Sequence, residues 1–433
     1  MPRPTPFVRN TADALTSAIL VTCFVAVCAL VLRSGSAADF RALWLAGEFL
    51  AEGRPDLVYP HDAAIFTMLP PAEWIDRLLS RGYSGEVYPF IYPPIWAWLA
   101  AGAGRLITFE ALMDWVVVLN PALLVVMLIA ARSLAAPGMR LWAYLGVGIV
   151  VLFLSPVGMV ALHQSQPQIL VACLTVVAVE RAEHGSPKLA GALLAFAAAI
   201  KLYPAFYVIF WLVCGRRQAA LSFALAGGML GLLSMALVGW PLHATFLHMV
   251  GLISDTVLVT NQSFALESLV AQLCCRDALQ HIPVPVTDPA LTEGQGWYVF
   301  LKPPLLSAAF DLAQFLALGG LAFLFRRAAS ASVRAALWPF AFALLALLGP
   351  IAWSYHFLSA VAFAPILVTR LRPLPGLTFL AAFLLLNFPV ARTVAADLTE
   401  GMRLIQVTGT LSMIGLALAF LIASRPARVD LDR

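Results

Sequence analysis

Long apolar runs separated by short polar stretches follow one another along nearly the whole chain. Runs such as Ala14–Leu32, Leu112–Ala131 and Leu301–Phe325 have the length of roughly 20 apolar residues that one crossing of a bilayer requires. They do not alternate as the strands of a membrane β-barrel do, and in lipid a helix satisfies its own backbone hydrogen bonds. The pattern predicts an all-α fold, a polytopic transmembrane bundle of about 12 helices.

Basic residues cluster at the ends of the apolar runs and predict the topology, because cytoplasmic loops are enriched in Lys and Arg. The clusters are Arg3/Arg9, Arg132/Arg140, Arg181/Lys188, Arg216/Arg217, Arg326/Arg327/Arg334, Arg370/Arg372 and Arg425/Arg428. With all of them inside, residues 1–433 form a single integral membrane domain with two long extracytoplasmic loops, 34–90 and 241–301. We expect amphipathic helices in these loops, the first running from Asp39 to Ala51.

Two features of this topology have alternative interpretations. The apolar runs Ile91–Gly104 and Leu112–Ala131 lie where an odd number of crossings is needed. Either the short first run is re-entrant or broken, or the Arg132–Arg140 loop lies outside; we expect the former. The run after Arg9 also has features of a signal peptide, but its length and the many later spans favour a retained first helix.

Composition agrees with the membrane class. Hydrophobic residues make up 61% and charged residues 12% of the 433 residues, and the mean hydropathy is +0.89. The net charge of +4 comes with basic residues at helix ends, so we expect no nucleic-acid partner. The six cysteines form no zinc or disulfide pattern, and the sequence has no Gly-rich phosphate loop, so we expect no metal and no cofactor.

Several polar residues from separate segments fall on the predicted outer side of the membrane. They are Asp39, the turn His163-Gln164-Ser165-Gln166, Lys201, the tripeptide Asn261-Gln262-Ser263, and His356 beside Trp353 and Tyr355. Polar residues within apolar segments are costly and often functional. Their shared side predicts one extracytoplasmic site at the membrane surface.

Each of these positions has a structural and a functional interpretation. Asp39 is either the N-cap of a helix that begins at Phe40 or a general base that removes a proton from an acceptor hydroxyl. Lys201 is either a lysine reaching for the interface or a cation for a lipid phosphate. Asn261-Gln262-Ser263 has the form of a glycosylation acceptor, and its amides also suit sugar hydroxyls.

The remaining positions are similarly open. His356 is either a hydrogen-bonded structural residue or part of the site, and an aromatic belt by itself explains Trp353 and Tyr355. Asp311 is a carboxylate within the apolar run Leu301–Phe325, where it has a structural partner or belongs to the site.

Six landmarks in chain order resemble glycosyltransferase family 87, a family of membrane enzymes of the GT-C type. They are Ala38-Asp39-Phe40, Tyr92-Pro93-Pro94, Gln164-Ser165-Gln166, Ala190-Gly191 with Ala199 to Pro204, Asn261-Gln262-Ser263, and Gly349-Pro350 with Trp353 to His356. The resemblance implies that Asp39 is catalytic and that Lys201 and His356 bind the donor phosphate. Beside these three, we predict a substrate-binding set made of His163, Gln164, Gln166, Tyr203, Asn261, Gln262, Ser263, Trp353 and Tyr355.

Two positions depart from the family pattern. The usual Gly-Gln turn reads His163-Gln164, and the usual His-His pair reads Tyr355-His356, so the first histidine has no counterpart here.

The resemblance further implies an inverting transfer of a hexose, mannose foremost, from a polyprenyl-phosphate sugar to a glycolipid or glycan acceptor. The enzyme would lie in the cytoplasmic (inner) membrane as a multi-pass protein, with its active site facing the periplasm or exterior. A transporter or lipid flippase without transferase activity is the alternative. Carriers have polar or broken segments near the midplane in both halves, whereas here the polar residues gather on one side.

Overall fold

The computed structural model describes residues 6–33, 35, 37–62, 64–283, 296–388 and 404–425. Its α-helices are α1 (Pro6–Leu32), α2 (Ala38–Ala51), α3 (Ala72–Ser80), α4 (Ile95–Ala103), α5 (Phe109–Ala135), α6 (Leu141–Leu154), α7 (Pro156–His163), α8 (Gln168–Glu183), α9 (Pro187–Ile200), α10 (Val208–Val213), α11 (Arg217–Val238), α12 (Trp240–Asp255), α13 (Leu266–Cys274), α14 (Pro304–Arg327), α15 (Ala331–Leu348), α16 (Leu358–Val361), α17 (Ile366–Arg370), α18 (Pro373–Asn387) and α19 (Leu404–Ala423). Its strands are β1 (Thr256–Val259), β2 (Gln280–Pro283) and β3 (Gly296–Leu301). Single 3₁₀ turns occupy Pro55–Leu57, Tyr203–Tyr207, Arg276–Ala278 and Ser354–Phe357.

Among the described residues, six helices are long and apolar enough to cross a membrane: α1, α5, α11, α14, α15 and α19. The pair α6 and α7, bent by 69° at Ser155, makes a seventh span if it is counted as one. The predicted membrane-helical class is confirmed, whereas the number of about 12 spans is not.

The described residues contain fewer candidate spans than predicted because several apolar runs are broken into short helices. The run from residue 187 to residue 213 is interrupted at Lys201, whose backbone is extended, and a 3₁₀ turn with Pro204 follows. Helix α9 therefore has only 14 residues, about 21 Å of helix, against a hydrocarbon core of about 30 Å.

The first long loop contains the helix expected there. Helix α2 begins one residue before Asp39 and ends at Ala51 as predicted. Helix α4 has only nine residues and packs on α2, where a Cβ added to Gly47 would lie 2.6 Å from the Cβ of Ala100. Helix α5 has 27 residues and qualifies as a span, whereas the preceding apolar run forms only the nine-residue α4, which is not a candidate span.

A small antiparallel sheet departs from the predicted all-α fold. The strand order is β1-β3-β2, and Thr256 pairs with Leu301. The sequence pattern does not reveal this sheet, because the apolar stretch of α12 continues without a break into β1 and because the strands are only four to six residues long. Part of the second predicted loop, residues 284–295, lies outside the described residues.

An aromatic cluster joins three helices and adjoins, through Tyr207, the cavity described in the next section. The rings of Phe210 and Phe325 stack with centroids 4.7 Å apart, and Trp338 lies 4.7 Å from Phe325. Tyr207 meets Phe342 edge to face at 5.0 Å. Each such pair contributes about 0.5–1.5 kcal/mol beyond its buried area, so the cluster fixes α10 against α14 and α15.

A buried carboxylate ties helix ends together on the predicted cytoplasmic side. The Glu183 side chain is 6% exposed and accepts hydrogen bonds from Arg216 at 2.7 Å and Arg334 at 3.1 Å. These two arginines belong to the basic clusters from which the orientation of the chain in the membrane was predicted. They therefore also link the ends of α8, α11 and α15.

Helices α9 and α11 approach closely at Gly191, where an added Cβ would lie 2.6 Å from the Cβ of Ser222. We expect Gly191→Ala to lower the free energy of unfolding by about 1–3 kcal/mol, because backbone atoms at the contact have no room to give way. The measurement is the thermal unfolding midpoint of the detergent-solubilised protein. Gly228→Ala on α11 is the matched control, since its Cβ would meet nothing within 4 Å. Equal midpoints for the two variants would contradict the close packing.

Candidate active site

One cavity of about 470 Å³ collects side chains that are far apart in the sequence. One part of its wall is polar and the rest is apolar. The polar side chains include Asp39, Tyr88, Lys201, Tyr203, Asp311, Gln314, Tyr355 and His356, and the apolar wall includes Phe246, Val250, Ile253, Phe315, Leu318 and Leu345. Its volume and its mixture of an apolar wall with a few polar groups are typical of ligand sites.

Asp39 lies in the first turn of α2 and faces this cavity. The N-cap position belongs to Ala37, and no side chain of that residue caps the helix. Instead the amide oxygen of Gln164 accepts a hydrogen bond from the backbone N–H of Ala38 at 3.2 Å. The structural interpretation of Asp39 as an N-cap is therefore wrong, and its carboxylate is left to hydrogen-bond with Gln166.

The turn 163–166 supports Asp39 from behind. Gln166 is 2% exposed, and its amide oxygen accepts a hydrogen bond from Tyr92 at 3.1 Å. Gln164 donates to Glu86 at 3.1 Å, and the His163 side chain is exposed. These three predicted substrate-binding residues are thus not on the cavity wall, and two of them hold the segments that carry Asp39.

Lys201 ends α9, and its ammonium nitrogen lies 3.3 Å from Nε2 of His356. The rings of Tyr92 and Tyr355 lie 5.6 Å and 5.1 Å from it. No carboxylate of the described residues lies within ion-pair distance of this ammonium. Lys201 therefore faces the cavity rather than the lipid interface, and it presents a positive charge that an anionic ligand can pair with.

An ammonium group can only donate hydrogen bonds, so His356 must accept at Nε2 and be neutral. Burial and the charge of Lys201 lower the pKa of His356 well below its ordinary value, which agrees with this hydrogen bond. His356 lies outside the candidate spans, as do Asp39 and Lys201.

Burial also shifts the pKa values of Asp39 and Lys201. It raises the pKa of Asp39 to about 6, although the positive charge of Lys201 acts in the opposite direction. It lowers the pKa of Lys201 to about 8, although the charge of Asp39 opposes this. At neutral pH the cavity therefore contains a carboxylate, an ammonium group and a neutral imidazole.

Tyr203, Trp353 and Tyr355 complete the predicted residues on the cavity wall. The Tyr203 hydroxyl accepts a hydrogen bond from Gln168 at 2.6 Å. The rings of Trp353 and Tyr355 are stacked with centroids 6.1 Å apart and planes 15° apart. They offer a flat aromatic surface beside the polar end of the cavity.

The tripeptide Asn261-Gln262-Ser263 does not line the cavity. Ser263 forms an isolated β-bridge with Trp353, and the carbonyl of Gln262 accepts from the Ser354 N–H at 2.7 Å. The tripeptide was predicted to bind sugar, but the structure places it outside the cavity wall. Its backbone holds the aromatic wall in place instead.

Glu86 is a site residue that the sequence does not predict, because it lies outside the helices and belongs to no motif. Its carboxylate accepts hydrogen bonds from Tyr88 at 2.9 Å and from Gln164, and its charge acts on Asp39. Asp311, which the sequence left open, lines the cavity from α14. The described residues contain no group of three or more His, Cys, Asp or Glu arranged to hold a metal ion.

Unusual backbone conformations gather around the cavity. Ala37 and Ser165 adjoin Asp39 and its supporting turn, Met68 and Ile351 line the cavity, and all four have a positive φ. Such conformations cost about 1–3 kcal/mol each and persist where the surrounding structure enforces them, often at functional sites.

Comparison with known proteins shows which family part of the chain resembles. The family model described as glycosyltransferase family 87 matches residues 90–287, a segment that contains Gln166 and Lys201 but neither Asp39 nor His356. No curated protein matches the chain. Over this segment, the membrane protein is similar to glycosyltransferase family 87, and the match supports a glycosyltransferase activity.

Proposed function

We propose that the protein transfers a hexose, mannose foremost, from a polyprenyl-phosphate donor to a hydroxyl group of a lipid or glycan acceptor. The reaction takes place on the extracytoplasmic side of the cytoplasmic membrane and inverts the anomeric configuration. The observation that carries the proposal is one amphiphilic cavity in which the Asp39 carboxylate and the Lys201 ammonium group both lie and act on each other through space, without an ion pair between them.

A polyprenyl-phosphate sugar has the polarity of this cavity. Its phosphate suits Lys201, and its isoprenoid chain suits the apolar wall around Phe246 and Leu318. Phe206 and Phe315 on that wall are 53% and 72% exposed, so this end opens towards the surface where α14 would meet lipid. A nucleotide diphosphate sugar would leave the apolar wall without a partner.

The chemical step needs one base and one cation. Asp39 removes the proton from the acceptor hydroxyl while the oxygen attacks the anomeric carbon. The bond from that carbon to the phosphate oxygen breaks, and its electron pair leaves with the lipid phosphate. Lys201 stabilises the charge on the departing phosphate, and attack from the opposite face gives inversion. Holding both substrates at the membrane surface contributes through proximity.

The neighbouring residues have supporting roles in this scheme. Neutral His356 accepts a hydrogen bond from Lys201 and orients the ammonium group. The stacked rings of Trp353 and Tyr355 suit the apolar face of a sugar. Gln166 holds Asp39, and Glu86 supports the adjoining turn through Gln164. The alternative, a transporter or flippase without transferase activity, is not favoured because the family consists of glycosyltransferases.

We expect Asp39→Asn to lower transfer by about 10²- to 10⁴-fold, because an amide cannot accept the proton. The measurement is turnover by purified protein in nanodiscs, with a radiolabelled polyprenyl-phosphate mannose as donor and a membrane glycolipid extract as acceptor. Asp76→Asn, at an exposed position of α3, is the matched control. Normal turnover by a folded Asp39→Asn protein would remove Asp39 from the mechanism.

We expect kcat/KM to fall on the acid side as Asp39 is protonated, near its pKa of about 6. The negative charge of Glu86 raises the pKa of Asp39, so Glu86→Gln should move this acid limb to lower pH. The measurement is the pH profile of kcat/KM for both proteins. Glu73→Gln on the exposed side of α3 is the control. An acid limb that stays in place in Glu86→Gln would contradict the coupling.

We expect Lys201→Met to reduce kcat/KM for the donor by about 10²- to 10³-fold, because the leaving phosphate loses its cation. Lys201→Arg should keep part of the activity, since the charge remains. Steady-state kinetics with varied donor concentration measure the effect, and Lys188→Met at an exposed site serves as control. Donor kinetics unchanged by Lys201→Met would argue against a phosphate at this position.

A further inference from the structure

A buried ion pair lies behind the cavity wall and belongs to neither the reaction scheme nor the predicted site. The carboxylate of Glu267, in the first turn of α13, lies 2.9 Å from the ammonium nitrogen of Lys302, directly after β3. Their side chains are 3% and 5% exposed. Burial of two charges is costly, so this pair calls for a role beyond general stability.

The second oxygen of the Glu267 carboxylate has a specific partner. It accepts a hydrogen bond from the backbone N–H of Ile351 at 2.9 Å. Ile351 lines the cavity and has a φ of 46°, a left-handed conformation that a β-branched residue rarely adopts. The carboxylate therefore fixes the chain at the point where the cavity wall turns.

The wall continues from this point directly to the polar end of the cavity. The carbonyl of Ala352 accepts from the Phe264 N–H at 2.6 Å, and the segment reaches His356 four residues later. His356 in turn holds the ammonium group of Lys201. One short segment thus connects Glu267 with the proposed phosphate site.

We propose that Glu267, held by Lys302, is a positioning residue that fixes Ile351 and thereby sets His356 against Lys201 for binding the donor phosphate. The proposal rests on the proposed function, because it assigns the consequence of this contact to the lipid-phosphate donor. It requires that the hydrogen bond to Ile351, rather than the buried charge itself, matters for the site.

Two double variants separate these contributions. The first, Glu267→Gln with Lys302→Met (the Gln/Met protein), removes both charges but keeps a side-chain carbonyl that can accept a hydrogen bond from the Ile351 N–H. The second, Glu267→Leu with Lys302→Met (the Leu/Met protein), also removes both charges, with similar side-chain volume, and loses that acceptor. Neither variant leaves an unpaired buried charge, so comparable thermal midpoints establish that both are folded.

The first measurement is hydrogen exchange of the backbone amides in residues 349–357, which needs no ligand. We expect the Leu/Met protein to exchange faster in this segment alone, and the Gln/Met protein to remain close to the parent protein. The second measurement is the affinity for farnesyl phosphate, a short isoprenoid monophosphate, in detergent. We expect about tenfold or greater weakening in the Leu/Met protein and little change in the Gln/Met protein, since small displacements of binding groups are costly.

The outcomes distinguish this proposal from the proposed function. Identical exchange in the two double variants would overturn the positioning role of Glu267. Faster exchange in the Leu/Met protein with unchanged farnesyl phosphate affinity would overturn the link to the phosphate site. Binding of farnesyl phosphate that is absent in the parent protein, or unaffected by Lys201→Met, would instead overturn the proposed donor and with it the assigned consequence.

Discussion

A lysine ammonium group held in a partly apolar cavity without a contacting carboxylate is the constraint on which the rest of the site depends. Lys201 is surrounded by aromatic rings and a neutral imidazole, and Asp39 acts on it through space rather than by direct pairing. A direct ion pair would satisfy both groups and leave neither for a ligand. Their separation in one cavity keeps a proton acceptor and an anion partner available together.

Broken helices create this arrangement. Lys201 is exposed to the cavity because α9 ends there and the chain becomes extended, and His356 is presented by a 3₁₀ turn rather than by a continuous span. Irregular backbone at such places is tolerated only where protein buries it or where it lines a cavity. The same breaks explain why the described part of the chain contains fewer long spans than the apolar composition predicts.

Many polar residues around the cavity hold its walls in place rather than lining the cavity themselves. Gln164 caps α2, and the backbone of Gln262 and Ser263 braces the wall that carries Trp353. A sequence motif does not separate these roles, because a residue that holds a reactive side chain in place is as characteristic of the site as the reactive residue. Only the direction of each side chain and its partners distinguish them.

The sequence by itself determined the membrane class, the helical character, the first amphipathic helix and the types of side chain available for chemistry, because hydrophobic runs and polar exceptions are local properties. It did not reveal the small sheet, whose first strand continues an apolar run, or Glu86, which lies in no motif. Which polar residues share the cavity was decided only by tertiary structure. Lys201 and His356 are 155 residues apart, and their contact depends on how broken helices pack, which no local pattern encodes.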